Sequence, residues 1–123
     1  MEKAGRKLLV AQELLTHRHF DDAVSRAYYA AFHAAQAALL AEGQQPETHK
    51  GVVTLFGLLL VKPGKVDRSC GRTLANLKDS RETGDYEALS FIDEEAAKTA
   101  VAAAKTFCDV IENYLKQNGY LAG

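Results

Sequence analysis

The sequence is short of several residue types, and each shortage excludes a class of protein. It has no tryptophan, two prolines and two cysteines among 123 residues. Cys70 and Cys108 lie far apart and form no paired motif, so we expect free thiols in a reducing compartment, with Cys108 buried on a helix. No stretch approaches 18 apolar residues and the amino-terminal residues do not read as a signal peptide, which together predict a cytoplasmic protein.

An excess of charge of either sign is also missing. Lys and Arg number 15 and Asp and Glu number 16, for a net charge of −1. This balance argues against bulk electrostatic attraction to nucleic acid or to an anionic membrane, and we expect no DNA partner. The length and the ordinary composition predict one globular domain over residues 1–123.

Several sequence motifs that would indicate particular chemistry are absent. There is no Gly-rich phosphate loop, no nucleophile elbow and no H-E-x-x-H motif. His17 and His19 are close in sequence, but no cysteine or carboxylate cluster accompanies them at a recognised spacing, so we expect no metal site and no cofactor. No alternating run of Val, Ile or Thr bounded by hairpin turns predicts a strand.

Helical periodicity is what the sequence has in abundance, and it centres on residues 21–40. Alanines recur there at steps of four and three, which places them on one stripe of a helix: Ala23, Ala27, Ala30, Ala34, Ala37 and Ala41. The flanking residues are mostly apolar as well. A helix that is apolar nearly all round is typically covered on several sides, so we predict that this helix is central.

Apolar spacing predicts further helices over residues 2–16, 49–61 and about 68–81. It also predicts a last helix that begins between residues 90 and 93 and extends to residue 115. Asp21 and Asp22 could cap the central helix, Gly43 could end it, and Thr48 could cap the next one. We expect residues 82–86 to form a non-helical break before the alanine-rich last helix. That last helix should pack closely on the central helix. The predicted fold is an all-α, up-and-down bundle of four main helices with a possible fifth short helix.

One line of polar residues on the central helix needs an explanation. Arg26, Tyr29, His33 and Gln36 follow each other at steps of three, four and three. They could form a buried polar ladder that fixes helix register, with each group satisfied by its neighbours. Alternatively, they could form a subsite for an anion or a nucleotide, with Arg26 as a forked donor and His33 as a proton-transfer group.

The segment from Arg81 to Tyr86 is a second candidate site, because loops at helix junctions often carry function. Residues 62–81 contain six basic and two acidic side chains, whereas residues 82–95 contain six acidic and no basic ones. These could be two solvated surfaces of opposite sign. Alternatively, the basic part could meet a phosphate or an acidic partner, with Asp85 paired to an arginine.

Three motifs together resemble one known family. They are SRAYYAAFHAA at residues 25–35, THKGV at residues 48–52 and R-x-x-x-D-Y at residues 81–86, followed by an alanine-rich last helix. This combination is similar to the HEPN domain (higher eukaryotes and prokaryotes nucleotide-binding), in a prokaryotic branch with the S-R-x-Y-Y-A-x-F-H block. The resemblance covers essentially the whole chain. It implies a helical bundle, usually dimeric, that often works with a separate small nucleotidyltransferase in toxin–antitoxin systems.

Many HEPN domains are metal-independent ribonucleases with an Arg, four to six residues and then a His. Arg26 and His33 match this motif in letters and would be the catalytic pair. In the ribonuclease members, however, the motif is expected before a late helix, where this chain has Arg81 and, in place of the histidine, Asp85. In some toxin members a tyrosine just after the motif receives nucleotidyl groups from the partner, and Tyr86 is the nearest match.

The resemblance therefore implies a non-catalytic HEPN binding module that is dimeric, pairs with a small nucleotidyltransferase and binds a nucleotide or RNA. The candidate ligand-binding residues are Arg26, Tyr29, His33, His49, Arg81, Asp85 and Tyr86. A metal-independent ribonuclease toxin of the same fold is the first alternative. A purely structural assembly bundle is the second.

Overall fold

The computed structural model describes residues 1–86 and 92–121, with the backbone alone for residues 83–86. It contains five α-helices: α1 (Glu2–Thr16), α2 (Phe20–Ala41), α3 (His49–Phe56), α4 (Arg68–Tyr86) and α5 (Glu94–Gln117). A π-helical turn, Gly57–Val61, continues α3. The described ranges contain no strand, so the prediction of an all-α bundle is confirmed.

The long helix α2 is the centre of the fold, as its sequence predicts. It packs against α1, α5, α4 and α3. Ala23, Ala27, Ala30 and Ala34 are completely buried, because their small side chains let neighbouring helices come close. On the α5 side, the thiol of Cys108 lies 3.7 Å from the carbonyl oxygen of Ala30. The predicted close packing of the two alanine-rich helices is thus confirmed.

Several helix ends follow the local sequence. Thr48 Oγ1 accepts a hydrogen bond from the Gly51 backbone N–H at 2.9 Å, and Asp93 Oδ1 accepts one from Ala96 at 2.9 Å. After α2, Gly43 has a φ of 79°, a left-handed conformation that glycine adopts readily at helix ends. These are local signals that require only a few neighbouring residues. The sequence predicted the Thr48 cap and the helix end at Gly43, and it placed the start of the last helix between residues 90 and 93.

The prediction of a side-chain cap at Asp21 or Asp22 was wrong. The N-cap residue of α2 is His19, and no side chain caps the helix end. The helix begins one residue before the two aspartates, which places both in its first turn. They can still favour the positive end of the helix dipole there, but they cannot occupy the cap.

Two other helix boundaries differ from the sequence prediction. Residues 82–86 do not form the predicted non-helical break, because α4 continues to Tyr86. Lys78 Nζ donates to Glu82 Oε1 at 2.5 Å, and this i,i+4 pair supports the helix where an interruption was expected. The predicted helix over residues 49–61 is present, but its last turn widens to a π-helix in which the Lys62 N–H donates to the Gly57 carbonyl at 2.9 Å.

A polar clasp joins three distant parts of the chain at one end of the bundle. The Glu42 carboxylate, just after α2, accepts hydrogen bonds from Lys65 Nζ at 2.8 Å and from the Tyr114 hydroxyl. These two bonds hold the pKa of Glu42 below its usual range. The clasp therefore fixes the end of α2 to the turn before α4 and to the end of α5. None of the helices that the structure describes is both long and apolar enough to cross a bilayer.

Candidate functional site

Aromatic rings, a histidine and an arginine from three helices meet at one place, which we call the His49 cluster. It consists of Tyr28, Tyr29 and Phe32 on α2, His49 at the start of α3 and Arg81 on α4. The Tyr28 hydroxyl lies 2.7 Å from His49 Nδ1. The Phe32 and His49 rings stack with centroids 4.2 Å apart and planes inclined by 19°.

The arginine of the His49 cluster lies over the tyrosines. The guanidinium carbon of Arg81 is 5.1 Å from the centroid of the Tyr29 ring and 5.9 Å from that of Tyr28. A cation at this distance is attracted to the negative face of an aromatic ring. Arg81 is half-buried, so its position is fixed by packing while part of it still meets solvent.

Local sequence explains why these side chains meet. Tyr28 and Phe32 are four residues apart, so they lie on the same face of α2. The Thr48 cap fixes the first residue of α3, His49, against that face. The Gly51 N–H donates to this cap, and the Thr48 hydroxyl oxygen lies close to Gly51, 2.9 Å from where a Cβ atom at that position would be.

Burial controls the protonation of the His49 cluster. Removal from water raises the pKa of Tyr28 to about 12, although the charge of Arg81 opposes this shift. Burial also lowers the pKa of His49, and the positive charges of Arg81 and Lys78 lower it further, whereas Glu82 acts in the opposite direction. At neutral pH both the phenol and the imidazole are therefore uncharged. One hydrogen lies between the Tyr28 oxygen and His49 Nδ1, and either group can be its donor.

This pairing gives His49 two possible chemical roles. If the Tyr28 hydroxyl donates to Nδ1, the other ring nitrogen, Nε2, carries a hydrogen and can donate to a phosphate oxygen. If Nδ1 donates instead, Nε2 is a base that can accept a proton. Among the residues that the structure describes, Nε2 makes no hydrogen bond, and it is therefore available to a ligand.

The predicted polar line on α2 is divided in the structure. Tyr29 and His33 are half-buried with ring centroids 6.4 Å apart, and His33 Nδ1 donates to Gln36 Oε1 at 3.0 Å. Arg26, in contrast, is exposed. A rise of about 1.5 Å per residue separates Arg26 from His33 by about 10 Å along the helix axis, so the two side chains do not meet. The ladder expected from spacing alone is thus limited to Tyr29, His33 and Gln36.

The structure brings some of the other predicted site residues together. Tyr29, His49 and Arg81 come together in the His49 cluster, and His33 borders it. Asp85 and Tyr86 lie in the last turn of α4, and their side chains are outside the part of the chain that the structure describes.

Sequence reasoning missed Tyr28 and Phe32 as members of the site, and Lys78 and Glu82 as charges acting on it. The two aromatic residues occur in the 25–35 motif, but they read as core residues because they flank the alanine stripe. An i,i+4 aromatic pair followed by a capped histidine was the available signal. In the described ranges, no three His, Cys, Asp or Glu side chains are grouped so as to hold a metal ion.

Comparison with known proteins finds similarity over most of the chain. A family model described as "HEPN domain" covers residues 1–114. The chain is 36% identical over 117 residues to the protein named "Putative toxin MJ0605" of Methanocaldococcus jannaschii, covering 95% of this chain and 87% of that protein. "Putative toxin MJ0142" of the same organism is 29% identical over 123 residues, covering 100% and 84%. A protein of Thermotoga maritima named "UPF0332 protein" is 37% identical over 106 residues, covering 86% and 80%.

Proposed function

Because the chain belongs to the HEPN domain family, we propose that it is a toxin-like HEPN module that binds a nucleotide or an RNA segment at the His49 cluster. The observation that carries this proposal is the placement of Arg81 over two tyrosine rings, next to a neutral histidine with an available nitrogen. Guanidinium and imidazole N–H groups are suited to phosphate oxygens. Aromatic rings at the edge of such a site are suited to stacking with a base.

The relative positions of these groups support a specific mode of binding. The ligand phosphate would lie between Arg81 and His49 Nε2, where the cation attracts it and the imidazole donates a hydrogen. Tyr29 is half-buried, and a base of the ligand would stack on the part of its side chain that solvent reaches. Tyr28 would position His49 through the shared hydrogen without touching the ligand.

A binding experiment tests this role. AMP and a short single-stranded RNA would be titrated into the wild type, into Arg81→Gln and into Arg72→Gln, which removes an exposed arginine from the same helix. We expect Arg81→Gln to weaken binding by about ten-fold or more, as is typical when a hydrogen bond to a charged group is lost. Arg72→Gln should bind like the wild type. If the wild type binds neither ligand, the purely structural bundle becomes the better description.

The partnership is the second part of the proposal. We propose a homodimer that pairs with a small nucleotidyltransferase in a toxin–antitoxin system, with Tyr86 as the acceptor of nucleotidyl groups. The family and the word toxin in the names of two relatives support this pairing. Co-expression with a neighbouring gene product that carries a G-S-x₆-D-x-D motif should give a complex that co-purifies. Separate elution of the two proteins would contradict the pairing.

A metal-independent ribonuclease is the second candidate function, and one observation favours it. The neutral imidazole of His49 could accept a proton from an attacking hydroxyl, while Arg81 would stabilise charge that develops on the phosphate. In an RNA cleavage assay without added metal, His49→Ala should then remove activity. His33→Ala and Arg26→Ala test the pair that the motif spacing predicted. Absence of cleavage by the wild type would leave the binding module as the function.

A further inference from the structure

A groove between α1 and the second half of α2 lies next to the His49 cluster. It consists of two adjoining hollows of about 440 and 330 Å³, and both are lined by Lys3 and His33. Gln36 and Glu2 line the first hollow, and Lys7 and Arg6 line the second. We call this feature, defined by Lys3, Lys7, His33 and Gln36, the His33 groove.

The sequence of α1 directs positive charge into this groove. Ala4 and Ala11 are completely buried and seat α1 on the bundle. Lys3 and Lys7 are four residues apart, on the stripe next to these alanines, and so they lie on the same side of the helix as each other. Within the described part of the chain neither lysine has a carboxylate at ion-pair distance, whereas Arg6, on the same helix, is paired with Glu2 at 2.7 Å.

The electrostatics of the groove favour an anion. Burial lowers the pKa of His33, and the charges of Lys3 and Lys7 lower it further, although the hydrogen bond to Gln36 opposes the shift. Two ammonium groups that have no carboxylate partner among the described residues therefore act on a neutral imidazole in a concave site. An anionic ligand would relieve this accumulation of positive charge.

The His33 groove is continuous with the His49 cluster through shared rings. Phe32 contacts His49 at 4.2 Å and His33 at 5.6 Å between centroids. Tyr29 likewise contacts His49 at 5.9 Å and His33 at 6.4 Å. Both imidazoles therefore contact the same aromatic pair, which makes the groove and the cluster direct neighbours.

We propose that the His33 groove is a second phosphate subsite, in which Lys3, Lys7 and His33 hold the next phosphates of a strand bound at the His49 cluster. This inference rests on the proposed function of that cluster. It specifies the ligand as a single-stranded oligonucleotide rather than a lone nucleotide, since a mononucleotide would leave the groove empty. It also explains how a chain of net charge −1 can bind RNA, because the attraction is local.

The test compares two ligands and two matched double variants. AMP and a labelled RNA of about six nucleotides, within the usual site size for single strands, are titrated over a range of salt concentrations. Lys3→Gln/Lys7→Gln removes the two charges of the groove. Lys105→Gln/Lys116→Gln removes two exposed charges from α5 and so matches the change in net charge. Thermal unfolding of each variant verifies that it is folded.

We expect Lys3→Gln/Lys7→Gln to weaken binding of the RNA by about ten-fold at about 150 mM salt and to reduce the slope of log K against log salt by about 1.4, since each phosphate contact on a single strand contributes about 0.7. Binding of AMP should not change. The α5 variant should behave like the wild type with both ligands.

Two results would overturn the subsite. One is unchanged RNA affinity and salt slope in Lys3→Gln/Lys7→Gln while Arg81→Gln still weakens binding, which would leave the function of the His49 cluster intact. The other is an equal loss of RNA affinity in both double variants, which would show that the net charge of the protein, and not this groove, determines the affinity. If the wild type binds neither ligand, the proposed function fails, and the subsite with it.

Discussion

At the scale of single residues, the bond between Tyr28 and His49 connects stability with the proposed site. The hydroxyl and Nδ1 are 2.7 Å apart and the tyrosine is completely buried. A buried hydrogen bond contributes modestly when it is made, but it is costly when one partner is left alone. The same two atoms therefore fix α3 to α2 and set the protonation of His49.

Replacement of Tyr28 by phenylalanine should lower the free energy of unfolding by about 1–2 kcal/mol, because His49 Nδ1 loses its partner inside the fold. Urea denaturation measures this change. Tyr120→Phe is the matched control, since Tyr120 is 55% exposed, and it should stay within about 0.5 kcal/mol of the wild type. Equal stability of Tyr28→Phe and the control would mean that water replaces the lost hydroxyl.

The histidines should make stability depend on pH. Burial, followed by the nearby positive charges, lowers the pKa of His49 below its ordinary value of 6.5, and the pKa of His33 is lowered as well. Below about pH 6.5 the unfolded chain therefore binds more protons than the folded chain, so the free energy of unfolding falls as the pH falls.

We accordingly expect a lower urea midpoint at about pH 5.5 than at about pH 7.5, and His49→Gln should reduce the difference. His17→Gln, at an exposed position, should retain the dependence of the wild type. A midpoint that rises on acidification would show that the histidines gain protons more readily in the folded protein.

At the scale of helices, the alanine stripe of α2 determines how closely the bundle packs. Ala30 is completely buried, and its carbonyl oxygen is in contact with the Cys108 thiol of α5. Ala30→Leu should cost about 1–3 kcal/mol, because three extra carbons must enter a filled contact. Ala102→Leu, on an exposed position of α5, should leave the urea midpoint almost unchanged. If the two variants behave alike, the contact around Ala30 has room for a larger side chain.

The helices were predictable from the sequence where the residues that specify them lie close together in the chain. The stripe on α2, the Thr48 cap and the end at Gly43 each depend on residues within one or two turns. The His49 cluster was not predictable in the same way, since Tyr28, His49 and Arg81 come from three helices. Their meeting depends on how α3 and α4 cross α2, and no short pattern encodes this. Spacing alone likewise could not reveal that Arg26 is exposed.

At the scale of the whole molecule, several large apolar side chains remain on the surface. Leu9, Leu40 and Leu58 are 57%, 59% and 51% exposed. Scattered exposed leucines are ordinary in a single chain, so they do not by themselves identify an interface. The proposed dimer rests on the family, and only a measurement of mass decides it.

Light scattering at about 100 μM protein, well above the micromolar range of a modest interface, should report twice the mass of the 13.4 kDa chain. A two-fold contact is the commonest arrangement for such an association. A monomeric mass at this concentration would contradict the proposed homodimer, but it would leave the binding site unaffected, since all of its described members belong to one chain.

The polar clasp at Glu42 has a consequence for the rate of unfolding. It joins Glu42 to Lys65 and to Tyr114, and the second contact spans 72 residues of sequence. A contact that closes a long loop lowers the entropy of the chain when it forms early in folding. We therefore expect this contact to form after the main kinetic barrier. Glu42→Gln should then accelerate unfolding in stopped-flow experiments and leave the refolding rate nearly unchanged. By this reasoning, a single carboxylate after α2 helps to set the lifetime of the native state.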